Sequence, residues 1–352
     1  MDADQTDQLV ATVRAAASAH RALRIVGGNS KAFLGRSTPV ANILSVAAHC
    51  GVVSYEPQEL VITARAGTPL TEIESTLAQH GQMLAFEPPH YGATATLGGT
   101  IACNLSGPRR PFAGAARDFV LGVELINGRG ERLRFGGQVM KNVAGYDISR
   151  LMSGAFGTLG VLLNVTLKVL PRATATLTLR HEYSSTDAVE RMNAWAGKPL
   201  PISATAFDGA ALYTRLEGAE TALRAARLKL GGEVEPRADY WLSVREHTHG
   251  FFRDTRPLWR LALPPASAPL ALNGKMFFEW NGALRWFYSD ESAEKIRAAI
   301  ALSGGHATAF RGQARDAVFH PLAAPLAQLH HNLKAAFDPH RILNPGRMYA
   351  EF

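Results

Sequence analysis

Within residues 8–20, Leu9, Val10 and Val13 recur at helical spacing with alanines between them, and residues 23–26 follow as a short buried strand that runs straight into glycine. Residues 60–66 alternate like a strand. Thr68-Pro69 then offers a capping residue and a proline at the first helical position, ahead of a helix whose apolar stripe is Leu70, Ile73 and Leu77 and which Gly81 ends. Residues 86–107 are rich in Pro, Gly, Thr and Ala, too long for a hairpin turn and too apolar for a solvated loop, and predict a long structured loop of the kind that carries function. Residues 119–126 and 131–135 read as strands joined at Asn127-Gly128-Arg129-Gly130. A short helix over 147–152 leads to Gly154, and a strand over 161–170 is stopped by Pro171.

The pattern changes after Pro171. A helix over 187–196, a hairpin turning at Asp208-Gly209, an amphipathic helix over 219–230, a strand over 258–263, a hairpin turning at Asn281-Gly282, and helices over 291–302 and 322–336 predict an α+β lobe with antiparallel strands. With 352 residues the chain is long for one core and short for three, so two packed lobes are expected, 1–171 and 172–352. No solenoid repeat is visible.

Composition narrows the function classes. A chain 47% hydrophobic and 19% charged builds sizeable cores and is neither disordered nor fibrous. The net charge of +7 is scattered in singles and pairs such as Arg109 with Arg110, which argues against nucleic acid and suits an acidic small substrate, an anionic cofactor or an acidic partner. Cys50 and Cys103 form no CxxC pair, so no iron–sulfur or zinc centre is expected in this chain, and reduced thiols point to the cytoplasm. The acidic, polar start fits no signal peptide. The most apolar run, 160–170, is broken by Asn164 and Lys168 and is far short of the roughly 20 residues of a membrane span, so no integral membrane segment is expected and any membrane contact is peripheral.

Three glycine-bearing segments in the first lobe lie beside strands: Gly27-Gly28-Asn29-Ser30-Lys31; Thr94-Ala95-Thr96-Leu97-Gly98-Gly99-Thr100, continuing to Asn104, Ser106 and Gly107; and Gly154-Ala155-Phe156-Gly157-Thr158-Leu159-Gly160-Val161. Glycine lets main-chain N–H groups close on a pyrophosphate, and three such loops in one lobe point to a cofactor cleft. A Rossmann site is excluded by order: Gly154 to Gly160 follows a helix and precedes a strand, and Gly27-Gly28 lacks the later glycines.

The run from Gly92 to Gly107 resembles the FAD-contacting loop of the vanillyl-alcohol-oxidase or PCMH-type flavoproteins. Lys141-Asn142-Val143-Ala144-Gly145-Tyr146-Asp147, Gly157-Thr158-Leu159-Gly160-Val161, Phe337-Asp338-Pro339 and Asn344-Pro345-Gly346 resemble their D-lactate dehydrogenase and glycolate oxidase branch. Asn29-Ser30-Lys31-Ala32-Phe33-Leu34-Gly35, Glu87-Pro88-Pro89-His90-Tyr91-Gly92 and Gly107-Pro108-Arg109-Arg110-Pro111 are similar to the FAD-binding subunits of glycolate oxidases. The resemblance implies a two-subdomain FAD-binding lobe over 1–171 and a smaller α+β cap over 172–352, with about 337–352 returning to the first lobe. It implies a pyrophosphate held by Gly27, Gly28, Asn29, Ser30 and Lys31. The flavin and ribityl side would meet Pro88, Thr94, Thr96, Leu97, Gly98 and Gly99, with Asn104, Ser106 and Gly107 downstream. Gly157, Gly160 and Val161 would flank the adenosine, and Asn344 would return toward the isoalloxazine. Phe156 stands where many relatives carry Glu. Covalent relatives place His in the first loop, where Asn29-Ser30-Lys31 stand, so the FAD is expected to be non-covalent.

Oxidation of a 2-hydroxy acid such as glycolate or D-lactate needs a base for the hydroxyl proton and a cation for the carboxylate. Arg285, Arg311 and His320 are the candidates. Arg285 also reads as a surface residue stacked on Trp286, and His320 as a turn residue before Pro321. The adjacent His330 and His331 face different ways on a helix and make no simple metal pair. The cap is shorter than in the D-lactate dehydrogenase branch and lacks its histidine metal motif. The resemblance therefore leaves two expectations open: a flavin dehydrogenase subunit for short 2-hydroxy acids, or a flavin-bearing relay or scaffold beside a second flavin subunit and an iron–sulfur subunit.

Overall fold

A computed structural model describes residues 3–137, 146–312 and 317–352. Positions 141–145 of the Lys141 to Asp147 motif lie outside the described residues.

The N-terminal helix Thr6–Ser18 buries Leu9, Val13, Ala16 and Ala17, as its 3.6-residue period requires. They pack with Leu23, Leu44, Val46, Ile342 and Leu343 beside the parallel strand pair Arg24–Val26 and Ile43–Ser45. The next sheet is five-stranded and antiparallel, in the order Val52–Glu56, Val61–Arg65, Val161–Lys168, Val120–Ile126, Arg132–Gly136. Its central strand shares Val161 and Leu163 with the N-terminal helix cluster and Leu162, Val165 and Leu167 with a second core. Into that second core the helix Leu70–Ala78 inserts Leu70, Ile73 and Leu77, all fully buried, each contributing about 1.5–3 kcal/mol.

The stretch expected as one long loop over 86–107 contains a helix, Leu97–Cys103, whose Thr96 side chain accepts from the Gly99 N–H. Of the glycine pair that reads as loop, Gly98 also permits close packing: a Cβ there would stand 2.7 Å from the Ala66 Cβ.

Beyond Pro171 the strands form one antiparallel eight-stranded sheet in the order Glu233–Val234, Ala175–His181, Leu212–Gly218, Ile202–Phe207, Lys275–Glu279, Leu284–Tyr288, Leu258–Ala262, His306–Arg311. The turns fall where expected: Gly209 has φ +98° and Asn281 and Gly282 have φ +57° and +90°. Helices Ser185–Ala196, Glu220–Leu230 and Ala293–Ala301 supply Met192, Leu223 and Ile296 to the cores on one side. A further core joins the sheet to the first lobe, combining Tyr213, Phe277, Trp286, Tyr288 and Phe310 with Phe33, Leu34, Tyr91, Cys103 and Phe156. The mixed α+β architecture is the expected one. The return to the first lobe begins before position 337, because Leu333 and Phe337 of the helix Ala324–Phe337 already pack on its core.

Candidate cofactor site

The strand Arg24–Val26 delivers the chain into Gly27–Lys31, where Asn29 adopts φ +60°. Among the described residues, none of the backbone amides from Gly27 to Lys31 donates a hydrogen bond within the chain. Successive free N–H groups around a left-handed residue form an anion-binding concavity. The second loop backs the first: Thr94 Oγ1 donates to Gly28 O at 2.5 Å, and a Cβ on Gly28 would fall 1.4 Å from Thr94 O, one on Gly27 2.5 Å from Thr96 Oγ1. Ser30 Oγ and Lys31 Nζ both donate to His90 O, at 2.9 and 3.2 Å, so the side chains anchor the turn while its amides stay free. Burial lowers the Lys31 pKa.

These amides open on a cleft. Its wall contains Gly27, Gly28, Asn29, Ser30, Lys31, Thr96, Gly98, Gly99, Gly157, Gly160 and Asn344, so all three glycine segments and the C-terminal asparagine meet at one place. Asn344 closes the wall by accepting from Ile25 N–H at 2.8 Å and donating to Phe156 O at 2.7 Å. Phe156, singled out within the third glycine segment, lines it as well, and sequence reasoning missed Ala66, Cys103 and Arg347, which also line it. Of these only Arg347, just after Asn344-Pro345-Gly346, carried a signal. Its guanidinium donates to Ala32 O and Arg36 O at 3.0 and 2.8 Å. Burial pushes the Cys103 thiol up to about 11, so it is not a thiolate at neutral pH.

Seven expected contacts are not in this wall, and each has structural work nearby. Leu97 and Val161 are core residues, and Thr94 braces the first loop from behind. Asn104 is the left-handed cap of the helix Leu97–Cys103 and accepts from Arg117 N–H. Ser106 Oγ accepts from Ala116 N–H, and Gly107 O accepts from Trp280 Nε1 at 3.0 Å. Pro88 is buried beside Glu87, whose carboxylate accepts from Arg109 N–H and pairs with Arg215 at 2.8 Å across the seam between the lobes.

The candidate catalytic residues separate widely. Arg285 is neither on the surface nor at the cleft: it is wholly buried over the Phe278 ring, donating to the carbonyls of Gly282, Ala268 and Ser267. A guanidinium saturated by carbonyl oxygens has a structural role. His320 Nδ1 accepts from Ala307 N–H at 3.4 Å and its carbonyl accepts from Tyr349, also away from the cleft. Arg311 lies on the seam, stacked over Phe33 at 4.5 Å and Tyr91 at 5.0 Å. Among the described residues its guanidinium has no hydrogen-bond or carboxylate partner. His247, which nothing in the sequence marked, lies beside it: Nε2 is 3.3 Å from Tyr91 Oη, and the ring stacks on Phe252 at 3.8 Å. Burial first, then Arg311, holds its pKa well below the ordinary value, so the imidazole is neutral at pH 7. His330 and His331 pack against Phe352.

A family model described as an FAD binding domain matches residues 2–136. The glycolate oxidase subunit GlcE of Escherichia coli is 49% identical over 350 residues, covering 99% of this chain and 99% of the relative. The chain belongs to the PCMH-type FAD-linked oxidases. Within that family, the glycolate oxidase subunit GlcD of Bacillus subtilis is 32% identical over 139 residues, 39% of this chain and 29% of the relative. The D-lactate dehydrogenase of Archaeoglobus fulgidus is 39% identical over 108 residues, 30% of this chain and 24% of the relative. The fold is also that of an alkyldihydroxyacetonephosphate synthase structure, with TM-score 0.67, 15% identity, and coverage of 96% of this chain and 74% of the other. The cofactor is FAD, and the unpartnered amides of the first loop fit the anionic pyrophosphate of that dinucleotide. No helix among the described residues is long and apolar enough to cross a membrane.

Proposed function

We propose that this chain is the FAD-binding subunit of a glycolate oxidase or dehydrogenase complex and oxidises a short 2-hydroxy acid, glycolate or D-lactate, by hydride transfer to the flavin. The observation that carries this reading is the convergence of the free Gly27–Lys31 amides, Thr96 to Gly99, Gly157, Gly160 and Asn344 on one cleft, in a chain that matches GlcE from end to end.

Bound FAD supplies the hydride acceptor. The chain's own residues divide the remaining tasks. The amides of Gly27 to Lys31 hold the pyrophosphate without a covalent link to the flavin. Thr96, Gly98 and Gly99 line the flavin and ribityl side, and Gly157 and Gly160 the adenosine. Arg311, a cation with no carboxylate partner among the described residues, clamps the substrate carboxylate. Burial keeps the Tyr91 phenol protonated, so the substrate's hydroxyl proton passes to the neutral His247 imidazole by relay: Tyr91 Oη accepts it while donating its own proton to Nε2. In this reading residues up to about Pro171 hold FAD and the later sheet is the cap.

A second reading is favoured by the packing around Arg311, whose neighbours Phe33, Tyr91 and Phe310 contact one another and crowd the access to it. In that reading the chain is a flavin-bearing relay or scaffold, and turnover happens in a partner flavin subunit. Both readings place it in a complex with a second flavin subunit and an iron–sulfur subunit, cytoplasmic and peripheral at the inner membrane through those partners. Anaerobic titration of the isolated FAD-loaded chain with glycolate or D-lactate separates them. Bleaching of the flavin absorbance supports direct oxidation, and an unchanged spectrum supports the relay.

A further inference from the structure

Where the two lobes meet, away from the cofactor cleft, the guanidinium carbons of Arg110 and Arg260 lie 4.3 and 5.2 Å from the centre of the Trp280 ring. Arg110 opens the short helix Arg110–Ala113 of the first lobe, and Arg260 is the central residue of the strand Leu258–Ala262 in the eight-stranded sheet. Both are half-buried. Among the described residues neither guanidinium has a hydrogen bond or a carboxylate within ion-pair distance. Other seam arginines are paired: Arg109 with Glu217 and Glu87, Arg215 with Glu87 and Glu217. Two like charges that share one ring and lack a counterion disfavour each other, and desolvation adds to that cost. For Arg260 burial, then Arg110, lowers the pKa to about 10, and for Arg110 burial is again the leading cause of a lowered value. Nearby acids relieve them only in part: Asp118 acts on Arg110 and Glu279 on Arg260 without an ion pair, burial raises Glu279 to about 7, and its Oε2 accepts from Trp286 Nε1 at 2.6 Å.

The ring they share is held in a costly conformation. Trp280, Asn281 and Gly282 have φ of +55°, +57° and +90° in succession, and a left-handed tryptophan persists only where its surroundings over-determine it. Those surroundings are present. Trp280 Nε1 donates to Gly107 O, Asn281 Oδ1 accepts from Thr205 Oγ1 at 2.8 Å, and Asn193 Nδ2 donates to Asn281 O at 3.1 Å. With its N–H so engaged, the indole offers only its ring, on which a guanidinium can lie while its own N–H groups stay free.

The geometry points to a carboxylate-binding site in the seam, in which Arg110 and Arg260, steadied by Trp280, together take the carboxylate of a small organic acid. A planar carboxylate accepts from two guanidinium edges at once, which removes their mutual repulsion and joins the lobes through the ligand. This site is separate from Arg311 and does not depend on flavin turnover, so flavin bleaching can fail while the acid still binds.

The test is calorimetric titration of the FAD-loaded chain with oxalate, which the flavin cannot oxidise as a 2-hydroxy acid, followed in parallel by tryptophan fluorescence. Saturable binding is expected, with Kd raised at least tenfold in Arg110→Gln and in Arg260→Gln, and weaker binding of inorganic phosphate than of oxalate. Arg110→Gln lies in a short helix with no buried residue and decides the matter if Arg260→Gln fails to fold. The proposal is overturned if wild type shows no saturable binding or if oxalate affinity is unchanged in the folded variants. It is equally overturned if phosphate binds as tightly, or if Arg311→Gln alone abolishes binding.

Discussion

Lys334 Nζ and Asp338 Oδ2 lie 2.7 Å apart in an ion pair closed off from solvent. The ammonium also donates to Thr158 O at 2.7 Å and Leu343 O at 2.8 Å, and the carboxylate accepts from the Ile342 and Leu343 amides. One buried pair thus ties the helix Ala324–Phe337, the third glycine segment and the C-terminal turn carrying Asn344 into one unit. Removing one member of such a pair leaves the other buried and uncompensated, so Lys334→Met should destabilise the chain by about 3–5 kcal/mol. Urea unfolding at pH 7 measures it, and a loss under 1 kcal/mol would count against this role.

Glu279 gives the fold a pH dependence. In the folded chain burial keeps its proton on up to about pH 7, whereas the unfolded carboxyl releases it near 4.5. Between those values the folded chain binds more protons than the unfolded one, so stability present at low pH is lost as pH rises through the window. A shift of that size corresponds to about 3 kcal/mol. Glu279→Gln keeps an acceptor for Trp286 Nε1 and removes the titration. The variant should therefore gain on wild type steadily from pH 4.5 to 7 and hold its advantage above. His247 acts oppositely, since its folded pKa lies below the ordinary value and stability is lost as pH falls past 6.5. The comparison is therefore made variant against wild type at each pH, and a constant difference would rule out the Glu279 assignment.

The first loop has Asn29, Ser30 and Lys31 where covalent relatives place His, and Ser30 and Lys31 are both engaged with His90 O. Acid precipitation of the purified chain should leave FAD in the supernatant. Flavin absorbance retained in the washed pellet is the contrary result.

Much of this was readable along the chain, for a local reason. The stripe of Leu70, Ile73 and Leu77 and the turns at Gly209 and Gly282 depend on residue period and on backbone freedom within a few positions. The cleft was readable through its glycines because a nest is made of main chain. What could not be read depends on partners far away in sequence. Trp280 meets Gly107 across 173 positions and Tyr91 meets His247 across 156. Arg285 misled because its neighbours in sequence, Trp286 and Leu284, say nothing of the carbonyls of Ser267 and Ala268 that enclose it. Gly98-Gly99 read as loop because small residues in a helix betray only close packing, and the partner of Gly98, Ala66, lies some thirty positions earlier, in the turn after the strand Val61–Arg65.

Gly28 tests whether the first loop is the cofactor's anchor. Its backbone needs no unusual φ, so the demand on it is purely one of space: the Thr94 carbonyl occupies the position of any Cβ. Gly28→Ala must push Thr94 and the first loop apart, which breaks the Thr94 Oγ1 to Gly28 O hydrogen bond and turns the free amides of the nest out of register. Besides the lost Thr94 contact, the penalty falls on ligand binding, because those amides make no bonds of their own within the chain. FAD affinity, read by quenching of flavin fluorescence on reconstitution of stripped protein, should drop at least tenfold, about 1.4 kcal/mol. Gly250→Ala, where a Cβ meets nothing within 4 Å, should leave it unchanged. Equal affinities for the two variants would separate the Gly27–Lys31 turn from the pyrophosphate and require another anchor for FAD.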